Sequence, residues 1–518
     1  MDIIGNRTLR TVLKEKTEQY GDKELIAFED AEGNQTRKTY KEFHEEVLAF
    51  SRSLLKLGIQ KGDHFTVHLP NNTEFLTIWF AAAELGAVMV PTNVLSTADE
   101  MNYLINHSDS VLLITEEDYL DKFASIRDEI PNIRHTILTR SEDHAGALSF
   151  DQLVQEGKQL TTELPEVNTE DIVGMLYTSG TTSKPKGVQV TNANYIFTGE
   201  LMSKTMGLTP DDRTFTVLPL FHGNAQYYTC MPSLMAGASI ALTEKFSASR
   251  YFKQAKALGG TVGSLFAAPI RMILSKDYDP ADRDNPLRLI MFAQSVGQQE
   301  LDQFENRFDT RLYQLYGMTE TVGIPLMNQP HGTPNNLSIG RPSLGYEVKL
   351  IDEEGNEVPP GKTGQIVVKG APGRTIMKGY FKNPEATAAT VQDGWLMTGD
   401  NARLGEDGNF YFVDRLKDMI KRSGENVAAG EVESVLTDHE AVYEAAVVGV
   451  PDPIKDEAIK AFVILHDGAQ ASSEELLAYC RERLANFKVP DTIEVVKDFP
   501  RTAVGKIQKH LIRQSVLA

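Results

Sequence analysis

The chain has 518 residues, 41% hydrophobic and 24% charged, with a formal net charge of -20 at pH 7. That length exceeds one ordinary domain, and the balance is that of a soluble globular protein. The acidic excess argues against a nucleic-acid partner, which needs a positive surface, but allows local basic loops for small anions.

The opening MDIIGNRTLRTVLKEK lacks the apolar run of a signal peptide. No stretch approaches the apolar length of a membrane span, so no integral membrane segment is expected. Tyr40 to Leu57 has apolar residues at helical spacing and stops at Gly58. His64 to Leu69 reads as a strand, Phe75 to Leu85 as a helix, and Ala87 to Val90 and Val111 to Ile114 as buried strands. This alternation predicts an α/β fold with mostly parallel strands. Asp171 to Tyr177 is a further strand running into a polar loop, after which the alternation resumes through Leu312.

From Val348 the pattern changes to short alternating segments, EVKLID, GQIVVKG and GNFYFVD, separated by turn residues, which predicts a β-rich subdomain. Beyond it, Val432 to Leu436 continues a helix opened by Gly430-Glu431, Ala445 to Val450 and Ala461 to Ile464 read as strands, and Ser472 to Leu484 as a capped helix. These segments form a small α+β unit. The expected division is 1–414 for a large N-terminal domain and 415–518 for a C-terminal one. Cys230 and Cys480 fit no zinc or redox spacing, which predicts buried inert thiols and suits a reducing cytoplasm.

The strongest local signal is Thr178-Ser179-Gly180-Thr181-Thr182-Ser183-Lys184-Pro185-Lys186-Gly187. Glycine lets the backbone approach an anion, the hydroxyls and backbone N–H groups donate to phosphate oxygens, and Lys186 adds a compact positive charge. The loop lacks the G-x-x-x-x-G-K-[ST] pattern, which weakens a kinase or P-loop ATPase reading.

This loop resembles the signature of adenylate-forming enzymes, the family of acyl-CoA synthetases, peptide-synthetase adenylation domains and beetle luciferases. The resemblance covers nearly the whole chain: YTSGTTSKPKG at 177–187, YGMTE at 316–320, GWLMTGD at 394–400, YFVDRLKDMIKRSGENV at 411–427 and PRTAVGKI at 500–507 follow in the family's order. It implies a large N-terminal αβ domain with stacked sheets and a small mobile C-terminal domain. It also implies a reaction in two halves: a carboxylate attacks the α-phosphate of ATP, then coenzyme A takes the acyl group from AMP.

Residue by residue, the resemblance implies that Thr178, Ser179, Gly180, Thr181, Thr182 and Lys186 hold phosphates, and that Tyr316 stacks on adenine with Gly317 beside it. Asp400 and Arg415 would hold the ribose, Thr319 would lie near the α-phosphate, and Glu320 would hold Mg2+ on the triphosphate. Ala293 to Gly297, AQSVG, replaces the family's commoner GGAPL-like form, with Gln294 and Ser295 as wall or hydrogen-bond residues. Lys506 is the expected electrostatic catalyst of adenylation. Lys417 matches the hinge, and Lys421 and Gly424 the segment used in thioester formation.

His222 matches a position between the acyl site and the phosphates, with Phe221, Gly223, Phe266 and Ala267 as pocket walls. The segments GRTIMKGYFKNPEAT and IKDEAIKAFVIL resemble the crotonobetaine/carnitine-CoA ligase branch. A betaine-like acid therefore stands beside a medium- or long-chain fatty acid as the expected substrate, with an amino acid loaded on a carrier protein as a further alternative. Quaternary ammonium recognition favours aromatic rings, which Phe221, Tyr227 and Tyr228 would supply. A monomer or homodimer is expected from the resemblance.

Overall fold

A computed structural model describes residues 2–141, 146–178, 184–415, 418–422, 425–452, 455–501 and 507–517, the side chains of 425 and 426 excepted. Ser179, Gly180, Thr181, Thr182, Lys417, Gly424 and Lys506 lie outside the described residues.

The described strands form four sheets. An eight-stranded sheet is built on the strands His64–His68, Val88–Pro91 and Ser110–Thr115, which run parallel. Almost every residue in them is buried, as expected for strands covered on both faces. A nine-stranded sheet runs parallel through Arg213–Thr216, Val262–Phe266, Leu289–Ala293 and Arg311–Tyr316. One continuous apolar cluster joins the two sheets and includes Ile26, Phe65, Trp79, Met89, Tyr195 and Leu242.

The helices between them start where the sequence supplies caps. Thr39 accepts from the Glu42 N–H and the Glu42 side chain returns to the Thr39 N–H, opening Tyr40–Lys56. Asn72 accepts from the Phe75 N–H to open Thr73–Leu85, a helix buried at every position but Glu74. Among the described residues no helix is long and apolar enough to cross a membrane.

The third sheet is antiparallel and contains Glu347–Ile351, Thr363–Lys369, Trp395–Leu404 and Phe410–Arg415. The fourth pairs Val442–Asp452 with Asp456–Leu465 and adds Met419–Arg422 and Glu425–Ala428. The helices Ala429–Thr437 and Ser473–Arg483 pack on it over a separate core containing Val432, Val447, Val463 and Leu476. This small lobe also holds Cys480; Cys230 lies in the large core, and burial pushes their thiols up to about 11 and about 12.

The strand predicted at Asp171 to Tyr177 forms as Ile172–Thr178. Its next neighbour in sequence is the antiparallel strand Lys186–Thr191, with Thr178 opposite Lys186. The strands on either side of residues 179–183 therefore pair antiparallel, which the spacing of residues did not reveal.

Candidate active site

Three sheets deliver side chains to one place. Tyr316 ends the strand Arg311–Tyr316 of the nine-stranded sheet. Asp400 and Arg415 are directly opposed on neighbouring strands of the third sheet. Lys186 opens the second strand of that antiparallel pair in the eight-stranded sheet.

The buried Tyr316 hydroxyl donates to Asp400 Oδ2 at 2.7 Å, while Arg415 Nε lies 3.3 Å from Asp400 Oδ1. Burial, then the Asp400 charge, keeps the Tyr316 phenol well above its ordinary range. Its ring lies 6.3 Å from that of Phe412. The turn before Asp400 is fixed by Gly399 at φ +71°, whose N–H donates to Gln365 Oε1 at 3.1 Å. Thr398 Oγ1 accepts from the Asp400 N–H at 3.1 Å.

Glu320 sits in the short turn Thr319–Thr321 and is buried. Its Oε1 accepts from the Tyr380 hydroxyl at 2.8 Å, and Lys186 Nζ stands 4.3 Å from the centre of the Tyr380 ring. Burial holds the Glu320 carboxyl above the usual carboxylate range, opposed by the Tyr380 hydrogen bond and the charges of Lys186 and Arg415. The turn ends at Val322, whose φ of +64° is a strained conformation for a β-branched residue. Gly317 leaves no room for a side chain, since a Cβ there would meet Tyr228 Oη at 2.6 Å and the Gly323 carbonyl oxygen at 2.9 Å. Thr319 is half-buried beside Glu320.

His222 lies just before the π-helical turn Asn224–Cys230, whose Tyr228 reaches Gly317. Its Nδ1 accepts from the Asn224 N–H at 3.2 Å, and its ring meets Phe266 edge-on with centres 6.0 Å apart. Gly223 admits Tyr227 so closely that a Cβ would stand 2.9 Å from Tyr227 Cε2. Tyr227 and Tyr228 are buried in the π-helical turn Asn224–Cys230. Gln294 adopts φ +76°, and its carbonyl accepts from Gln314 Nε2 at 3.1 Å. Ser295 is exposed, with its carbonyl accepting from Arg271 at 3.2 Å.

Thus Tyr316, Gly317, Thr319, Glu320, Asp400, Arg415 and Lys186 converge, with Thr178 paired to Lys186. Lys421 sits on Met419–Arg422 in the small lobe, where its N–H donates to Glu457 Oε2 at 2.8 Å. Among its described contacts none joins it to the Glu320–Asp400 cluster. Tyr380 escaped the residue-by-residue reading, although it lies within GRTIMKGYFKNPEAT. Beside Lys184 and Lys186 a cleft of about 180 Å³ opens against Tyr103, His107 and Phe381.

The sequence pattern of AMP-binding enzymes matches residues 13–381, and that of the AMP-binding enzyme C-terminal domain matches 431–506. The chain belongs to the AMP-binding enzyme family. This AMP-binding enzyme is 38% identical over 513 residues to the crotonobetaine/carnitine–CoA ligase of Salmonella agona, covering 98% of this chain and 99% of that protein. The crotonobetaine/carnitine–CoA ligase of Shigella sonnei is 39% identical over 511 residues, with 98% and 99% covered. Among solved structures, the anthranilate CoA ligase AuaEII in complex with anthranoyl-AMP superposes with a TM-score of 0.90 at 27% identity, covering 99% of this chain and 98% of that one. The benzoate CoA ligase of Burkholderia xenovorans gives 0.87 at 27% identity, covering 98% and 100%.

Proposed function

We propose that this AMP-binding enzyme is an AMP-forming carboxylate–coenzyme A ligase. A carboxylate oxygen bonds to the α-phosphorus of ATP as pyrophosphate leaves, giving acyl-AMP. The thiol of coenzyme A then bonds to the acyl carbon, loses its proton, and expels AMP. The observation that carries this reading is the convergence of Lys186, Glu320 and Tyr380 with Tyr316, Asp400 and Arg415. It sets a cation and a buried carboxylate for a triphosphate beside an aromatic–carboxylate pair for a nucleoside.

In this reading the Asp400 oxygens accept from ribose hydroxyls, Tyr316 and Phe412 flank the base, and Lys186 meets phosphate oxygens. Among the described residues no group of three or more His, Cys, Asp or Glu could hold a metal. Glu320, buried beside Lys186 and Tyr380, is the carboxylate that would hold magnesium, an ion that binds through one or two carboxylates plus substrate phosphates and water. Bound there, magnesium neutralises triphosphate charge. Lys506 supports charge transfer at the α-phosphate, and Lys421 and Gly424 serve the thiol step with Lys417 as hinge.

For the acid, the relatives' names support a betaine-type carboxylate, recognised by aromatic faces of the wall holding Phe221 and Phe266. ATP–pyrophosphate exchange with carnitine, crotonobetaine, γ-butyrobetaine, octanoate and palmitate, followed by thioester assay, tests this. Betaine-selective turnover supports it. Fatty-acid-selective turnover assigns the same chemistry to an apolar chain, and exchange without thioester formation overturns coenzyme A as acceptor.

A further inference from the structure

The helix Ala429–Thr437 begins the packing of the small lobe, yet its own cap residue, Ala428, offers no side-chain hydrogen bond. A helix start leaves backbone N–H groups without partners, and an oxygen-bearing side chain normally supplies the acceptor. Here the acceptor comes from a different sheet. Asp414, on the strand Phe410–Arg415, takes the Gly430 N–H on Oδ2 at 3.0 Å and the Arg415 N–H on Oδ1 at 2.7 Å. The carboxylate is 5% exposed. The approach is close, because a Cβ on Gly430 would stand 3.2 Å from the Val413 carbonyl oxygen.

A second observation concerns Lys509, which opens the helix Lys509–Leu517. Its Nζ lies 2.7 Å from Glu433 on the helix that Asp414 caps. The half-buried Lys509 also feels the charges of Asp414 and Asp418. Glu433 Oε1 in turn accepts the Val447 N–H at 2.6 Å, which ties the pair to the small lobe's sheet. So the strand that carries Arg415 also carries a carboxylate that holds one helix of the other lobe and lies within electrostatic reach of Lys509 on a second.

We propose that Asp414 is a positioning residue: it caps the small-lobe helix from the third sheet and, with Lys509, sets the orientation in which the small lobe meets the Asp400–Arg415 site. The carboxylate stabilises that orientation twice, through a charge-assisted hydrogen bond at a helix N-terminus and through attraction to Lys509. Its consequence for catalysis rests on the ligase reading above; its consequence for lobe geometry does not.

The test uses the full chain with Asp414→Ala and Asp414→Asn. Limited trypsin digestion reports cleavage between residues 415 and 422, and loss of a cap predicts cleavage there about fivefold faster in Asp414→Ala. Cleavage elsewhere should remain at the wild-type rate. Asp414→Asn keeps an oxygen for the Gly430 N–H but drops the charge facing Lys509, so it falls between the two. The ratio of thioester formation to ATP–pyrophosphate exchange should shift by about threefold or more in Asp414→Ala. Wild-type cleavage with a wild-type ratio overturns the proposal. So does a uniform rise in cleavage at all sites with both half reactions reduced equally, which would mark general destabilisation. If Asp414→Ala does not fold, Asp414→Asn decides by the same two readouts. If the chain makes no thioester at all, the proteolysis still decides the positioning role while the ligase reading fails separately.

Discussion

The Tyr316 hydroxyl and Asp400 Oδ2 are 2.7 Å apart although 84 residues separate them in the chain. This bond joins the nine-stranded sheet to the antiparallel third sheet and orients the carboxylate whose other oxygen faces Arg415. Tyr316→Phe removes the donor and leaves a buried carboxylate oxygen short of a partner. The expected cost is about 2 kcal/mol in ATP affinity, seen as a raised KM for ATP with a smaller change in kcat. An unchanged KM would show that the bond only braces the fold.

Glu320 gives a pH signature. Burial raises its native pKa above the unfolded value, so the native state retains a proton that the unfolded chain has lost between those two values. Stability from this group is full below the ordinary glutamate range and is lost as pH rises through the raised native value. Glu320→Gln does not titrate and keeps an oxygen for the Tyr380 hydroxyl. Its Tm relative to wild type should therefore rise with pH through that window, while magnesium-dependent acyl-AMP formation is lost. Thermal unfolding of both proteins from about pH 4 to about pH 8 checks the sign.

The two lysines of the small lobe should separate by reaction half. If Lys506 has the role proposed for it, Lys506→Ala slows ATP–pyrophosphate exchange by about a hundredfold or more, the scale of losing one charge that stabilises a transition state. Lys421→Ala should spare exchange and reduce thioester formation from supplied acyl-AMP. Equal losses in both assays for both variants would refute the division.

Gly317 tests how tightly the nucleotide wall is built. A methyl group there would stand within 2.9 Å of both Tyr228 Oη and the Gly323 carbonyl oxygen. Gly317→Ala should cost about 1–3 kcal/mol of stability through overpacking. It should also weaken ATP binding, because Tyr316 is its immediate neighbour. Chemical denaturation and ATP titration on the same protein separate the two effects.

The sequence by itself determined most of the local structure and the family. Apolar runs such as VLLI carry their strand character in residue order, because burial on both faces leaves a continuous run, whereas GQIVVKG, expected to alternate, buries Ile366, Val367 and Val368 in succession. Ser472, with Glu474 and Glu475 in the first turn, announced a helix start, and the Ser472 side chain accepts from the Glu475 N–H. The hydroxyl- and lysine-rich run 178–187 stands out in the sequence because its residues are contiguous, and 179–183 of it lie outside the described residues. Only the tertiary structure decided what lies across from what: Tyr380 against Glu320, Lys186 over the Tyr380 ring, and Asp414 on a helix of another lobe. Those contacts join residues whose local patterns are indifferent to one another. The packing of sheets and the antiparallel pairing of the loop's flanking strands bring them together, and short-range periodicity carries no record of that packing.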